Sequence, residues 1–296
     1  MGVLLDIVMP FYGDERMFRE AVESVMAQDD HRWRLTVIDD AYPDRAPGDW
    51  AASLTHSSIR FLRNSRNEGV ANSFRKAVEI AEHDALCIMG CDDLLEPSFV
   101  RVALERLEAN PAVAYVQPGV AVIDDDGREY RPLADRIKAA LRPRGGRNIG
   151  GERVAARLLT GNWTYFPSVT WRTSLLKQRS FDARFEVVLD LDLQLALLAD
   201  GGLIAVDDRA TFRYRRHGGS VSSVTARDGA RFAEEAQLFR EWTTTFGSMG
   251  WRRAASAARW HLTSRLNAAT LALNASSDTA TRRVLVGHVF GKGSAT

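Results

Sequence analysis

The chain has 296 residues, 45% hydrophobic and 26% charged, with 22 Gly, 9 Pro and 2 Cys and a net charge of +1. That length carries one large or two fused domains with a core of their own, and the composition excludes disordered, collagenous and disulfide-stapled classes. Residues 1–127 are net −11 (12 basic, 23 acidic), which excludes a nucleic-acid footprint there and implies a cation beside any bound phosphate, whereas 128–157 are net +6 and 226–296 net +5.

The first element is a short apolar run from Val3 to Met9, stopped by Pro10, that predicts a buried strand. Pro10 to Gly13 form a turn. Asp14 then caps a helix in which Met17, Phe18, Ala21, Val22, Val25 and Met26 repeat at helical spacing. Strands follow at 34–38, closed by Asp39-Asp40, and at 59–62; a helix spans 69–81; a fourth strand at 85–89 ends in Gly90-Cys91-Asp92-Asp93. Strands alternating with helices imply right-handed crossovers and a mostly parallel sheet flanked by helices. Ligands of such sheets bind outside the carboxyl ends of the strands, so Pro10 to Tyr12, Asp39-Asp40 and Asp92-Asp93 are expected along one rim.

The helix from Pro97 to Ala109 and a strand at 113–116 come next, before the turn at 124–127. The basic residues 128–157 read as a mobile loop or insertion between two helical pieces. An aromatic segment from Trp163 to Pro167, a strand near 169–171, a helix at 189–199 and a strand at 204–206 lead to the basic cluster 213–217. Beyond 226 the pattern is helical and rich in Ala and Arg. No run approaches the ~18 apolar residues of a membrane span, and Asp6 interrupts the apolar start, so the chain reads as cytoplasmic. Cys87 and Cys91, with no second pair, read as reduced thiols rather than a zinc site.

Three acidic elements carry candidate chemistry. Asp92-Asp93 at a strand end suits a hard divalent cation that shares its coordination with a diphosphate, against the plainer reading of a helix cap. A carboxylate of Asp39-Asp40 suits a base N–H or a ribose hydroxyl. Asp190, in the first turn of a helix, is the candidate general base, and Asp192 beside it reads equally as a dipole partner. Arg213, Arg215, Arg216 and His217 could clamp phosphate oxygens or, for His217, hold a metal; a solvated basic loop is the rival reading. Asn67-Glu68-Gly69 is by itself a turn.

In order, these segments resemble the family 2 glycosyltransferases, nucleotide-sugar enzymes of the GT-A fold. The carriers are Val8-Met9-Pro10-Phe11-Tyr12, the helix from Ala21 to Gln28, Val37-Ile38-Asp39-Asp40, Asn67-Glu68-Gly69, Met89 to Pro97, Phe181 to Leu193, and Tyr214-Arg215-Arg216-His217 with Ser220 and Ser223. The resemblance spans about residues 3–224 and implies an α/β GT-A domain over 1–225. Residues 1–97 would be its nucleotide-binding half and 98–225 its acceptor-binding half, with 226–296 a helical C-terminal extension.

The resemblance further implies an inverting hexosyl- or deoxyhexosyltransferase that uses a UDP- or dTDP-linked sugar and a divalent metal, Mn²⁺ or Mg²⁺, in cell-envelope polysaccharide synthesis. Asp190 is then the catalytic base. Pro10, Phe11, Tyr12, Asp39, Asp40, Asn67, Gly69, Cys91 and Asp92 bind the nucleotide, and Asp92, Asp93 and His217 hold the metal. Trp163, Tyr165, Arg215 and Arg216 are left to contact the phosphate or a glycan or lipid-linked acceptor. Two positions depart from the pattern: Gly90 stands where an acid is common, which puts the ribose contact in doubt, and Leu189 stands where an acid often precedes the base.

Two other functions compete. A nucleotidyltransferase predicts a basic, Gly-rich phosphate loop after the first strand, which Pro10 to Gly13 do not supply. A catalytically inactive scaffold or carbohydrate-binding protein predicts a dispensable Asp190. The stretch from Trp251 to Leu273, with four arginines among alanines, suits a peripheral contact with an anionic membrane; the competing readings are a helix packed on the catalytic domain and a homodimer contact.

Overall fold

A computed structural model describes residues 2–216, 230–274 and 285–289. Its centre is a sheet of nine strands: β1 (Leu5–Phe11), β2 (Trp33–Asp39), β3 (Ile59–Arg63), β4 (Ala85–Ile88), β5 (Leu94–Leu95), β6 (Val113–Ile123), β7 (Asn148–Ile149), β8 (Thr170–Arg172) and β9 (Leu203–Arg215), in the order β3-β2-β1-β4-β8-β6-β9-β5, with β7 also on β9. The first four strands are parallel, as the alternation predicts. Beyond β4 the sheet is mixed, because β8 runs antiparallel to both neighbours and β6 pairs parallel with β9.

The helices are α1 (Glu15–Met26), α2 (Ala46–Ser53), α3 (Val70–Ile80), α4 (Phe99–Ala109), α5 (Leu133–Leu141), α6 (Glu152–Thr160), α7 (Thr173–Arg179), α8 (Leu189–Ala199), α9 (Ala230–Ser248), α10 (Arg252–Trp260) and α11 (Leu262–Asn274). Helix α1 begins where the sequence places it: the Asp14 carboxylate accepts from the Met17 amide at 2.9 Å. Its buried stripe, with Phe18 and Val22, packs beneath β1 and β2. Each such side chain withdrawn from water contributes roughly 1.5–3 kcal/mol. Strand β1 is buried on both faces, which is why it reads as an unbroken apolar run.

Two expectations are corrected. Residues 128–157 are not a loose insertion: α5, β7 and the start of α6 lie there, tied down by the Asp135–Arg216 pair and by Arg142 on Asp208. The late strand is also longer than 204–206, so residues 213–215 belong to β9 itself. The reason is that Arg213 and Arg215 break the apolar run by which a strand is read, although β9 pairs with β6 as far as Arg215 and buries both Phe212 and Arg215.

Helices α9 and α10 join the main core. Leu238, Phe239, Trp242, Phe246, Ala254 and Ala258 share one apolar cluster with Leu189, Leu193 and Leu197 of α8 and Leu158 of α6. That is the packed-helix reading for this part of the chain. No helix among the described residues is long and apolar enough to cross a membrane.

Candidate active site

Strand β1 pairs with β2 so that Phe11 faces Asp39, and with β4 so that Val8 faces Ile88; the three strands therefore end together on one rim. There a cavity of about 540 Å³ opens, lined by the turn after β1, the start of α3, the segment after β4, the short helix at 166–168 and the loop into α8. Pro10, Phe11, Tyr12, Asp40, Asn67, Gly69, Cys91, Asp92, Asp93 and Asp190 all line it. Residues about a hundred positions apart are thus brought to one space.

At the end of β1 Phe11 stacks on Phe18 at 4.1 Å, and the exposed Tyr12 meets Tyr42 edge-on at 5.3 Å. Asp40 accepts from Asn64 Nδ2 at 2.7 Å and from the amides of Glu68 and Gly69 at 2.9 Å. Its carboxylate thereby fixes the loop that starts α3. Gly69 has φ of 83°, a left-handed conformation that glycine takes without strain, and turns the chain into the helix.

Asp39 does not reach the cavity. It is fully buried, its Oδ1 accepts from the Tyr42 amide at 2.8 Å and its Oδ2 from Arg63. Its assignment to the nucleotide is corrected: the carboxylate holds the turn after β2.

After β4 the backbone passes Gly90 and presents two carboxylates. A Cβ on Gly90 would stand 2.7 Å from both Asp92 Oδ1 and Asp93 Oδ2. Two hard oxygen donors therefore converge over a residue with no side chain, a donor set that fits Mg²⁺ or Mn²⁺ and leaves the remaining coordination to phosphate oxygens and water. Burial and the neighbouring Asp92 charge raise the Asp93 carboxyl well above the usual carboxylate range, while the Arg215 amide donates to its Oδ1 at 2.8 Å. Among the described residues no group of three His, Cys, Asp or Glu comes together, and His217, with Ser220 and Ser223, lies outside them. Cys91 lines the cavity as a neutral thiol, its pKa pushed up to about 12 by burial and then by Asp92.

The basic cluster plays a different part from the one expected. The Arg215 side chain is 1% exposed; its Nε donates to the Asp92 carbonyl at 2.8 Å, its guanidinium to the Asp125 carbonyl at 2.8 Å and to Glu20 at 2.7 Å. It is a strut behind the carboxylate pair, with no face left for a phosphate. Arg216 is held bidentately by Asp135 at 2.7 and 2.9 Å. Trp163 is fully buried in the main core, and Tyr165 is buried with its hydroxyl on Asp135 at 2.7 Å. None of these four side chains lines the cavity, so their assignment as acceptor contacts is corrected. Phe166, Pro167 and Tyr214 are the residues of those segments that do line it.

Asp190 sits in the first turn of α8 at the cavity wall. Burial raises its carboxyl above the usual range, opposed by the Leu191 amide, the Lys138 charge and a hydrogen bond from Asn162 Nδ2 at 3.3 Å. Asn162 is fixed in turn: its Oδ1 accepts from the amide and hydroxyl of Thr164. Gln194 Nε2 donates to Thr164 Oγ1 at 3.1 Å, and the Tyr115 hydroxyl to Gln194 Oε1 at 3.1 Å. Every bond of this relay points toward Asp190. Asp192, by contrast, accepts from the Trp242 indole at 2.8 Å and faces α9.

The loop before α8 has a further support that the sequence does not reveal. Glu234 of α9 accepts from the amides of Val187 at 2.8 Å and Glu186 at 3.1 Å, and Arg75 donates to the carbonyls of Phe185 at 2.8 Å and Asp182 at 3.1 Å. Glu186 and Val187 line the cavity. Asn162 had the better sequence signal, being a polar residue between Gly161 and Trp163 in an otherwise apolar aromatic segment.

Comparison with known proteins bears on the family and the fold. The "Glycosyl transferase family 2" profile matches residues 6–170. The succinoglycan biosynthesis protein ExoO of Rhizobium meliloti is 26% identical over 222 residues, which are 75% of this chain and 63% of ExoO. A putative colanic acid biosynthesis glycosyl transferase, WcaA of Escherichia coli, is 22% identical over 67% of each chain. Among solved structures, S. aureus TarS 1-349 in complex with UDP-GlcNAc superposes with a TM-score of 0.63 at 16% identity, covering 97% of this chain and 71% of that one. The mannosyltransferase PcManGT from Pyrobaculum calidifontis, in complex with GDP-Man and Mn²⁺, gives 0.63 at 14% identity over 99% and 87%. These likenesses carry the GT-A fold, and the profile match carries the family: the chain is a glycosyltransferase and belongs to glycosyl transferase family 2.

Proposed function

We propose that this glycosyltransferase is inverting, takes a UDP- or dTDP-linked hexose or deoxyhexose, and passes it to a hydroxyl of a glycan or lipid-linked glycan in polysaccharide synthesis. The observation that carries the reading is that Asp190 and the Asp92-Asp93 pair line one cavity although they lie about a hundred residues apart in the chain. Asp190 takes the proton of the acceptor hydroxyl, the oxygen attacks the anomeric carbon, and the nucleoside diphosphate departs from the opposite face. The Asn162 relay keeps one Asp190 oxygen engaged and oriented.

Asp92 and Asp93 would hold the divalent ion. When bound, it supplies positive charge to a leaving diphosphate that the acidic N-terminal half would otherwise repel. Tyr12 offers a ring to the base, and Asp40 is the carboxylate left at the cavity to read a pyrimidine N–H edge.

The test has two parts. UDP, dTDP, GDP and CDP, each with Mn²⁺, Mg²⁺ or EDTA, are compared for thermal stabilisation, and one pyrimidine diphosphate is expected to stabilise the protein in an EDTA-sensitive way. Asp190→Asn should keep that stabilisation while transfer falls by about 10²- to 10⁴-fold. Transfer that survives Asp190→Asn, or a product with the donor's anomeric configuration, would contradict the mechanism.

A further inference from the structure

Two sites on three helices leave apolar side chains in water where a soluble enzyme would be expected to bury them. On α5, Leu133 is 70% exposed and Ile137 46%, one turn apart on the same face. At the other site, Trp260 ending α10 is 54% exposed, and Leu262 and Leu266 of α11 are 58% and 67% exposed. The helices meet at one junction: a Cβ on Gly161 would touch Leu141 Cδ1 of α5 at 2.7 Å and Thr263 Cγ2 of α11 at 3.3 Å.

The segments that carry these side chains are basic. Residues 242–277 contain no Asp or Glu and carry Arg252, Arg253, Arg259 and Arg265. Residues 130–151 contain one acid, Asp135, which is buried against Arg216, while Arg131, Arg136, Arg144 and Arg147 are exposed. Arg136 stands between Leu133 and Ile137, Arg259 beside Trp260, and Arg265 between Leu262 and Leu266.

We propose that the exposed faces of α5 and α11, with Trp260, dock this enzyme on an anionic lipid bilayer. Leu, Ile and Trp enter the boundary between headgroups and acyl chains, and the interleaved arginines meet lipid phosphates. A second copy packed by two-fold symmetry would set these arginine-bearing helices against each other, like charge on like charge, which disfavours that occupant.

The placement also has a functional direction. The inner side of α5 carries Lys138, whose Nζ donates to the Thr164 carbonyl at 2.8 Å and whose charge acts on Asp190. One helix thus faces the base with one side and solvent with the other. Docking through it turns the Lys138 and Asp190 side of the molecule toward the bilayer, where a lipid-linked acceptor resides; that last step rests on the function proposed above.

Flotation of the full chain with vesicles tests the docking without any sugar substrate. Binding is expected to phosphatidylcholine vesicles containing about one third phosphatidylglycerol, weakening with salt, and not to phosphatidylcholine alone. Leu133→Glu with Ile137→Glu, and separately Leu262→Glu with Leu266→Glu, should each lower the bound fraction by about tenfold. These positions are exposed, and an unchanged circular-dichroism spectrum and melting temperature show that each variant is folded. Absence of flotation by the parent chain, or flotation unaffected by both variant pairs, overturns the proposal. So does a parent dimer that both pairs dissociate, which would assign the face to a second copy. Because the readout needs no transfer, a failed Asp190→Asn test leaves it standing, and failed flotation leaves the catalytic reading intact.

Discussion

Asn162 presents its amide nitrogen to Asp190 at 3.3 Å, and Thr164 dictates that orientation by donating twice to the amide oxygen. A carboxyl that burial raises is thereby pulled back toward its charged form.

Asn162→Ala removes that pull. The Asp190 carboxyl should rise further, so the acid limb of the kcat–pH profile moves to higher pH, because the base works only above its own pKa. A fall in kcat of about tenfold, with donor KM unchanged, is expected on the scale of general-base contributions. An unshifted acid limb would remove Asn162 from its positioning role.

Gly90→Ala tests whether the missing side chain matters to the carboxylate pair. The new Cβ would lie 2.7 Å from Asp92 Oδ1 and from Asp93 Oδ2, closer than real contacts allow, so both carboxylates must turn away. Titration with Mn²⁺ and UDP should show affinity reduced by about tenfold, a loss of the size expected when metal-site geometry is disturbed. Equal affinity in the two proteins would place the cation elsewhere.

Arg215→Ala should damage stability before chemistry. The substitution deletes contacts to Glu20 and to the carbonyls of Asp92 and Asp125 and leaves Glu20 with Arg16 as its remaining ion-pair partner. Loss of a buried charged partner costs about 3–5 kcal/mol, and Glu20 is itself partly exposed, which places the expectation at the lower end. Denaturant unfolding reads the change. Arg215→Lys should rescue little, since one ammonium cannot span the three positions.

The parallel half of the sheet was legible because its strands are apolar runs ending at turn residues, and because Asp14 caps α1 as its type and position suggest. The rim residues followed from that topology. What the sequence hid were roles settled by packing across the chain. Arg215 and Arg216 look like phosphate ligands in one dimension, yet Glu20 and Asp135, 195 and 81 residues away, take them. Trp163 reads as a sugar platform, yet no polar contact draws it to the surface and the core claims it. Helix α2 was missed because Pro47 and Gly48 suggest a turn, whereas Pro is tolerated in a first helical turn.

Acid should unfold the protein in a specific window. Asp207 is buried between Arg106 and Arg209; burial alone would raise its carboxyl, but the hydrogen bonds from both guanidinia and the Arg209 amide outweigh it and hold the carboxyl far below the usual range. Asp6, with His83 and Arg34, is lowered in the same way. A carboxyl with a depressed folded pKa contributes stability that is fully present above its unfolded value, about 4, and is lost as pH falls through the folded one. The melting temperature should therefore decline steadily below about pH 4. Asp207→Asn should lower stability at neutral pH and flatten that decline, because its contribution is already gone. Parallel decline in the two proteins would show that Asp207 takes no part in the acid response.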